Sequence, residues 1–138
     1  MRKRTLAREL ALQVLYQMDI TRQDPPTALQ HFWLMTEFKE VEDEVRKFTE
    51  ELVLGVTEHL EPIDAKIAEY ATNWELSRMA VVDRNVLRLG SCELLFRTDI
   101  PPKVSINEAV ELAKKFSGVQ AGKFVNGILD KIKGNRSA

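Results

Sequence analysis

A chain of 138 residues, 44% apolar and 30% charged, has the size and composition of one folded domain that buries its own core. No stretch approaches the ~20 unbroken apolar residues that a membrane-spanning helix needs. The Leu6–Ile20 segment is interrupted by Arg8, Glu9, Gln13, Gln17 and Asp19 and so reads as a mature helix rather than a signal core. The single cysteine, Cys92, excludes an intrachain disulfide, and without an export signal the expected compartment is the reducing cytoplasm.

The net charge of −1 hides an uneven distribution. Arg2, Lys3, Arg4 and Arg8 precede the first acid, Glu9, whereas Glu37, Glu40, Glu42, Asp43 and Glu44 form an acidic stretch.

Prolines at 25–26, 62 and 101–102 divide the chain, and no run alternates as a half-buried strand would. The first helix is expected from about Thr5 to Asp19, with Ala7, Ala11, Val14, Leu15 and Met18 in one arc. A second follows Pro26, with Asp24 as a possible cap and Leu29, Phe32 and Trp33 facing inward. The third spans about Glu42 to Leu60 on a Val45, Phe48, Leu52, Val56 stripe. Pro62 ends it and sits in the first turn of a fourth carrying Ile63, Ile67 and Ala71. Asn73 and Trp74 mark the next connection.

The fifth helix, about Val82 to Arg97, is apolar around most of its circumference and should be central. Glu93 falls in that apolar arc and needs a partner, for which Arg97 one turn on is the nearest candidate. Ser105 to Glu108 has the form of a capping box opening a sixth helix through Phe116. A last helix covers about Ala121 to Ile132. The expected fold is all-α, about seven helices in a compact bundle, forming a single domain over residues 1–138.

Nothing in the sequence carries a catalytic signature. His31 and His59 have no metal-ligand spacing, no P-loop or nucleophile-elbow motif occurs, and Cys92 reads as a small core residue. No enzyme, metal, cofactor or small-molecule substrate is expected.

The first helix offers a different chemistry. Arg8, Leu12 and Tyr16 form an i, i+4, i+8 row that the helical wheel places off the core face, with Arg4 one turn before Arg8. A basic entrance leading to an exposed ring suits single-stranded RNA, since cations draw phosphates and bases stack on tyrosine. The same spacing also fits a Tyr16 that covers a neighbouring helix beside solvated arginines. Phe124, beside Lys123, is either half-buried core or a second cation–aromatic pair on that surface. The acidic region, with Glu75 and Asp83, is either a face for a basic partner or simply solvated.

Two stretches carry a family resemblance. Arg4 to Tyr16, reading RTLARELALQVLY, is similar to the opening pattern of the NusB family. Val82 to Gly90 (VDRNVLRLG), Asp99-Ile100-Pro101, Val104 to Lys114 (VSINEAVELAK) and Lys123 to Asp130 (KFVNGILD) follow that family's order and spacing. Cys92 departs from it, at a position where an aromatic residue is expected.

The resemblance implies two stacked helical bundles and no catalysis. It implies binding of a short single-stranded RNA element, boxA, jointly with NusE, a protein of the small ribosomal subunit. The complex would join NusA, NusG and RNA polymerase to suppress premature termination, notably on ribosomal RNA operons. By position, Arg4, Arg8, Tyr16, Lys123 and Phe124 match the RNA-facing region, with Arg2 and Lys3 beside them. Asp83, with Glu75 and Arg84, falls where the family meets NusE. The alternatives are a protein–protein adaptor or self-associating dimer without RNA binding, and a helical domain that accompanies an RNA methyltransferase. The chain ends at Ala138 without a methyltransferase segment, which argues against the latter.

Overall fold

The computed structural model describes residues 2–38, 40–71 and 75–134, and every regular element among them is helical. Helices α1 (Lys3–Thr21), α2 (Pro25–Leu34) and α3 (Asp43–Glu58) pack on one another. Helices α4 (Leu60–Tyr70), α5 (Val81–Phe96), α6 (Pro102–Phe116) and α7 (Val119–Lys133) form a second group. The two groups meet along α5, which lies against α1 and α3 on one side and α4, α6 and α7 on the other. That central place explains its apolar circumference: Val86, Leu87, Leu89 and Leu94 are all buried. Among the described residues the architecture is thus a double bundle of seven α-helices, with two short 3-10 turns at Thr36–Phe38 and Leu76–Arg78.

Local chemistry sets the helix ends. The Asp24 carboxylate accepts from the Thr27 amide at 3.2 Å and the Thr27 hydroxyl at 2.7 Å, and Pro25-Pro26 fill the first turn of α2, where amide donors would be idle. Pro62 lies in the first turn of α4, which opens at Leu60, so α3 stops at Glu58 rather than reaching Leu60. Gly118 has φ 129°, open to glycine and costly for other residues, and it turns the chain sharply from α6 into α7. Asn73 and Trp74, expected in the connection after α4, lie outside the described residues.

Two expectations fail for the same reason. Helix α6 opens at Pro102, three residues before Ser105, so Ser105 does not cap it. The Ser105 hydroxyl instead donates to Glu93 at 2.9 Å. Glu93 does not pair with Arg97, which reaches Asp99 and Glu51. Its partner is Arg8, 85 positions away in sequence.

Candidate nucleic-acid interface

The α1–α6 seam is closed by polar groups. Arg8 donates through Nε and Nη2 to both carboxylate oxygens of Glu93, at 2.9 and 2.8 Å, and through Nη1 to Glu108 at 3.1 Å. The Thr5 hydroxyl donates to the same Glu108 oxygen at 2.6 Å. Arg8 and Glu93 are 3% and 2% exposed, so Arg8 is a buried structural ion and not part of an exposed basic row. Burial alone would lower the Arg8 pKa, but the Glu93 hydrogen bonds and charge more than offset this and keep it protonated. Leu12, expected beside it off the core, is buried too. The wheel missed this because α1 is covered by α2, α3 and α5 and tied to α6 by side chains, leaving far less free surface than a helix packed on one side.

Farther along the seam Lys115 donates to Glu9 at 2.6 Å, and its ammonium sits 5.4 Å from the centroid of the Phe116 ring. There the seam opens. Tyr16 is 44% exposed, as the wheel indicated. It lines a groove of about 330 Å³ together with Gln13, Phe38, Met35, Val82 and Phe116. Phe116 and Met35 are also exposed at this rim, 40% and 39%. A second cavity of about 500 Å³ is lined by Asp83 and Ser117, the chain neighbours of Val82 and Phe116, and by Val119, Gln120 and Phe124. The structure therefore brings Tyr16 and Phe124 to neighbouring hollows, and Lys123 stands exposed beside Phe124.

The groove's other half was absent from the sequence-based set of candidates. Lys115-Phe116, in the run KKFSG at the end of α6, was the available signal: basic residues, a ring and a turn that exposes it.

Arg2, Lys3 and Arg4 stand exposed at the start of α1, with no acid in its first turn. Positive charge there opposes the helix dipole, so its own helix gives no reason for the cluster. The acidic stretch partly offsets it. The Lys3 ammonium lies 2.9 Å from Glu44 and 3.1 Å from Glu42, and its hydrogen bond to Glu44, followed by that to Glu42, raises its pKa. The Arg4 guanidinium caps the Phe48 ring at 4.3 Å. At about 1.5 Å per residue, Arg4 and Tyr16 are separated by roughly 18 Å along α1.

The residues expected at a protein interface divide. Glu75 is exposed, 3.8 Å from Arg78. Asp83 is half-buried, with one carboxylate oxygen shielded from solvent and no hydrogen bond to it. Arg84 turns inward: it donates to Asp19 at 3.1 Å and to the Leu76 carbonyl at 2.9 Å, so it holds the 3-10 turn beside Glu75. Burial would raise the Asp19 carboxyl, yet hydrogen bonds from Asn85 and Arg84, with the charges of Arg84 and Arg88, hold it below its ordinary value. Arg88 also clamps Asp64 through two hydrogen bonds of 2.9 and 3.0 Å.

Among the described residues no group of His, Cys, Asp and Glu is arranged to hold a metal ion. No helix among them is long and apolar enough to cross a membrane. The Cys92 thiol is pushed up to about 12, chiefly by burial, and so stays protonated at neutral pH.

Comparison with known proteins places this chain in a family. A family model described as NusB family matches residues 5–133. The chain is 53% identical over 130 residues to the transcription antitermination protein NusB of Anaeromyxobacter dehalogenans, covering 94% of this chain and 89% of that one. It is 50% identical over 131 residues to the NusB of Desulfitobacterium hafniense, covering 94% and 86%. Its fold is similar to that of T. maritima NusB, with a TM-score of 0.86, 36% identity and coverage of 100% and 94%. It is similar also to a NusB crystallised with NusE and double-stranded RNA, with a TM-score of 0.87, 33% identity and coverage of 97% and 98%. With a family model spanning nearly every described residue and relatives half identical over nine-tenths of it, the chain belongs to the NusB family.

Proposed function

We propose that this chain is a cytoplasmic, single-domain transcription antitermination factor that binds boxA-type single-stranded RNA together with NusE. Its relatives carry transcription antitermination in their names, and a structural neighbour is crystallised with NusE and double-stranded RNA, which supports RNA and NusE as partners. Through this complex it would engage NusA, NusG and RNA polymerase and keep the polymerase elongating, notably on ribosomal RNA operons.

The carrying observation is the open groove in which Tyr16 and Phe116 present exposed rings at the end of the Glu9–Lys115 seam. Ring faces receive unstacked bases, which a duplex keeps paired. Arg2, Lys3 and Arg4 supply phosphate attraction at one end of α1, and Lys123 with Phe124 extends the surface beyond the groove. Arg8 acts here as a positioning residue, fixing α1 against α5 and α6 rather than touching RNA. Glu75 and Asp83 are the proposed contacts to NusE, a basic partner suiting both, with Arg84 shaping the turn that carries Glu75.

Salt-titrated binding tests this reading. A boxA-type strand should bind more tightly than the same sequence paired as a duplex, affinity should fall as salt rises, and NusE should strengthen it. Tyr16→Ala should weaken binding by about 1–3 kcal/mol with the helical signal unchanged. Equal affinity for strand and duplex, or normal binding by Tyr16→Ala, would remove the groove from the mechanism.

A further inference from the structure

The groove that carries Tyr16 and Phe116 also contains a carboxylate. Glu37, on the 3-10 turn after α2, lines it with Tyr16, Phe116 and the amide of Gln13. Glu37 is exposed, and among the described residues it makes no ion pair or hydrogen bond. Gln13 likewise makes no side-chain hydrogen bond among them. A negative charge beside a polyanion's path opposes binding unless it receives a donor there. A nucleobase lying on the Tyr16 ring would turn its edge toward the groove wall. Carboxylates accept from the exocyclic amino group of cytosine, and side-chain amides match the donor–acceptor edge of adenine. Uracil has a carbonyl oxygen in place of that amino group and offers only its ring N3–H as a donor on that edge.

We propose that Glu37, assisted by Gln13, selects an amino-bearing base over uracil at the nucleotide stacked on Tyr16. This rests on the RNA-binding reading of the groove and adds a specificity determinant to it. The apolar rings supply sequence-tolerant stacking, and the carboxylate supplies the discrimination they lack.

The test is a set of single-stranded RNAs whose positions are set in turn to each of the four bases, bound to the full-length chain with and without NusE. Wild type should favour an amino-bearing base over uracil about tenfold at one position. Glu37→Ala should abolish that preference while leaving affinity for the uracil-bearing strand the same or higher. Glu37→Gln, which keeps an acceptor oxygen, should retain part of it. If Glu37→Ala strengthens every RNA alike, the carboxylate is only a repulsive charge and the proposal falls. It falls also if wild type shows no such preference, or if the preference survives in Glu37→Ala. Tyr16→Ala separates the two levels: weakened binding of all strands with an intact Glu37-independent preference sinks this inference alone, whereas normal binding by Tyr16→Ala sinks the reading of the groove.

Discussion

The guanidinium of Arg8 grips the carboxylate of Glu93 through two hydrogen bonds, 2.8 and 2.9 Å long, in the middle of the protein. Ser105 and Glu108 complete its surroundings, so one cluster ties α1, α5 and α6 together. Removing Arg8 leaves the Glu93 carboxylate buried without a counter-charge, and removing Glu93 leaves the buried Arg8 with Glu108 alone. Glu93→Leu and Arg8→Leu should each destabilise by about 3–5 kcal/mol. The double substitution should cost clearly less than their sum, because it leaves no unpaired buried charge of the pair. Urea unfolding of the four proteins checks this, and strict additivity would deny the coupling.

Lys3 and the acidic residues beside it offer an electrostatic test. The bridge to Glu42 and Glu44 is solvent-exposed, so Lys3→Gln should leave folding stability nearly unchanged. If Lys3 meets a phosphate, the same change should reduce the slope of log affinity against log salt by about one. Glu42→Gln with Glu44→Gln should strengthen RNA binding modestly, since it frees the ammonium and removes repulsion. An unaltered slope in Lys3→Gln together with unaltered affinity in the Glu42→Gln, Glu44→Gln double variant would exclude the start of α1 from the RNA path.

Asp19 predicts a pH dependence. Its folded-state pKa is depressed, so the unfolded chain binds its proton more readily than the native protein does. The stabilisation is complete above the unfolded value, near 4, and is lost as pH falls through the folded one. Asp19→Asn should therefore lower stability at neutral pH and flatten its decline in acid. Stability curves of the two proteins that stay parallel down to pH ~2 would contradict the network's role.

Gly90 marks a close approach of α5 to α6 and α7. A Cβ there would lie 2.6 Å from Leu129 Cδ1 and 3.3 Å from the Ala109 Cβ, and Leu129 is fully buried. Gly90→Ala gains helix propensity of up to about 1 kcal/mol. Overpacking at a three-helix contact typically costs about 1–3 kcal/mol. The expected result is net destabilisation with the secondary structure retained, read as a lower thermal midpoint. A raised midpoint would show that Leu129 yields easily.

Much of this fold is legible from local rules, because prolines and caps act within a few residues. Asp24 before Pro25-Pro26 and Pro62 at the head of α4 are such cases, and the apolar circumference of α5 announces a central helix. Tyr16 is legible as well, since one helix's periodicity already points it outward. What stays hidden is which distant groups meet. Glu93 required a partner, but spacing could offer only Arg97, and Arg8 lies at the far end of the chain. Arg8 looked exposed because the wheel of α1 contains no information about how many helices surround it. The groove was half visible: Tyr16 stood out, whereas Met35, Glu37 and Phe116 come from two other segments that only tertiary packing brings to it.

Ring resonances give the sharpest view of where RNA sits. With aromatic side chains isotopically labelled, a single-stranded boxA-type RNA should shift the Tyr16 and Phe116 ring signals through stacking. The stacked His59–Phe96 pair, whose rings lie 3.8 Å apart and line neither cavity, should stay in place. Saturable binding that leaves the Tyr16 and Phe116 rings unmoved would mean that the RNA lies elsewhere on the protein.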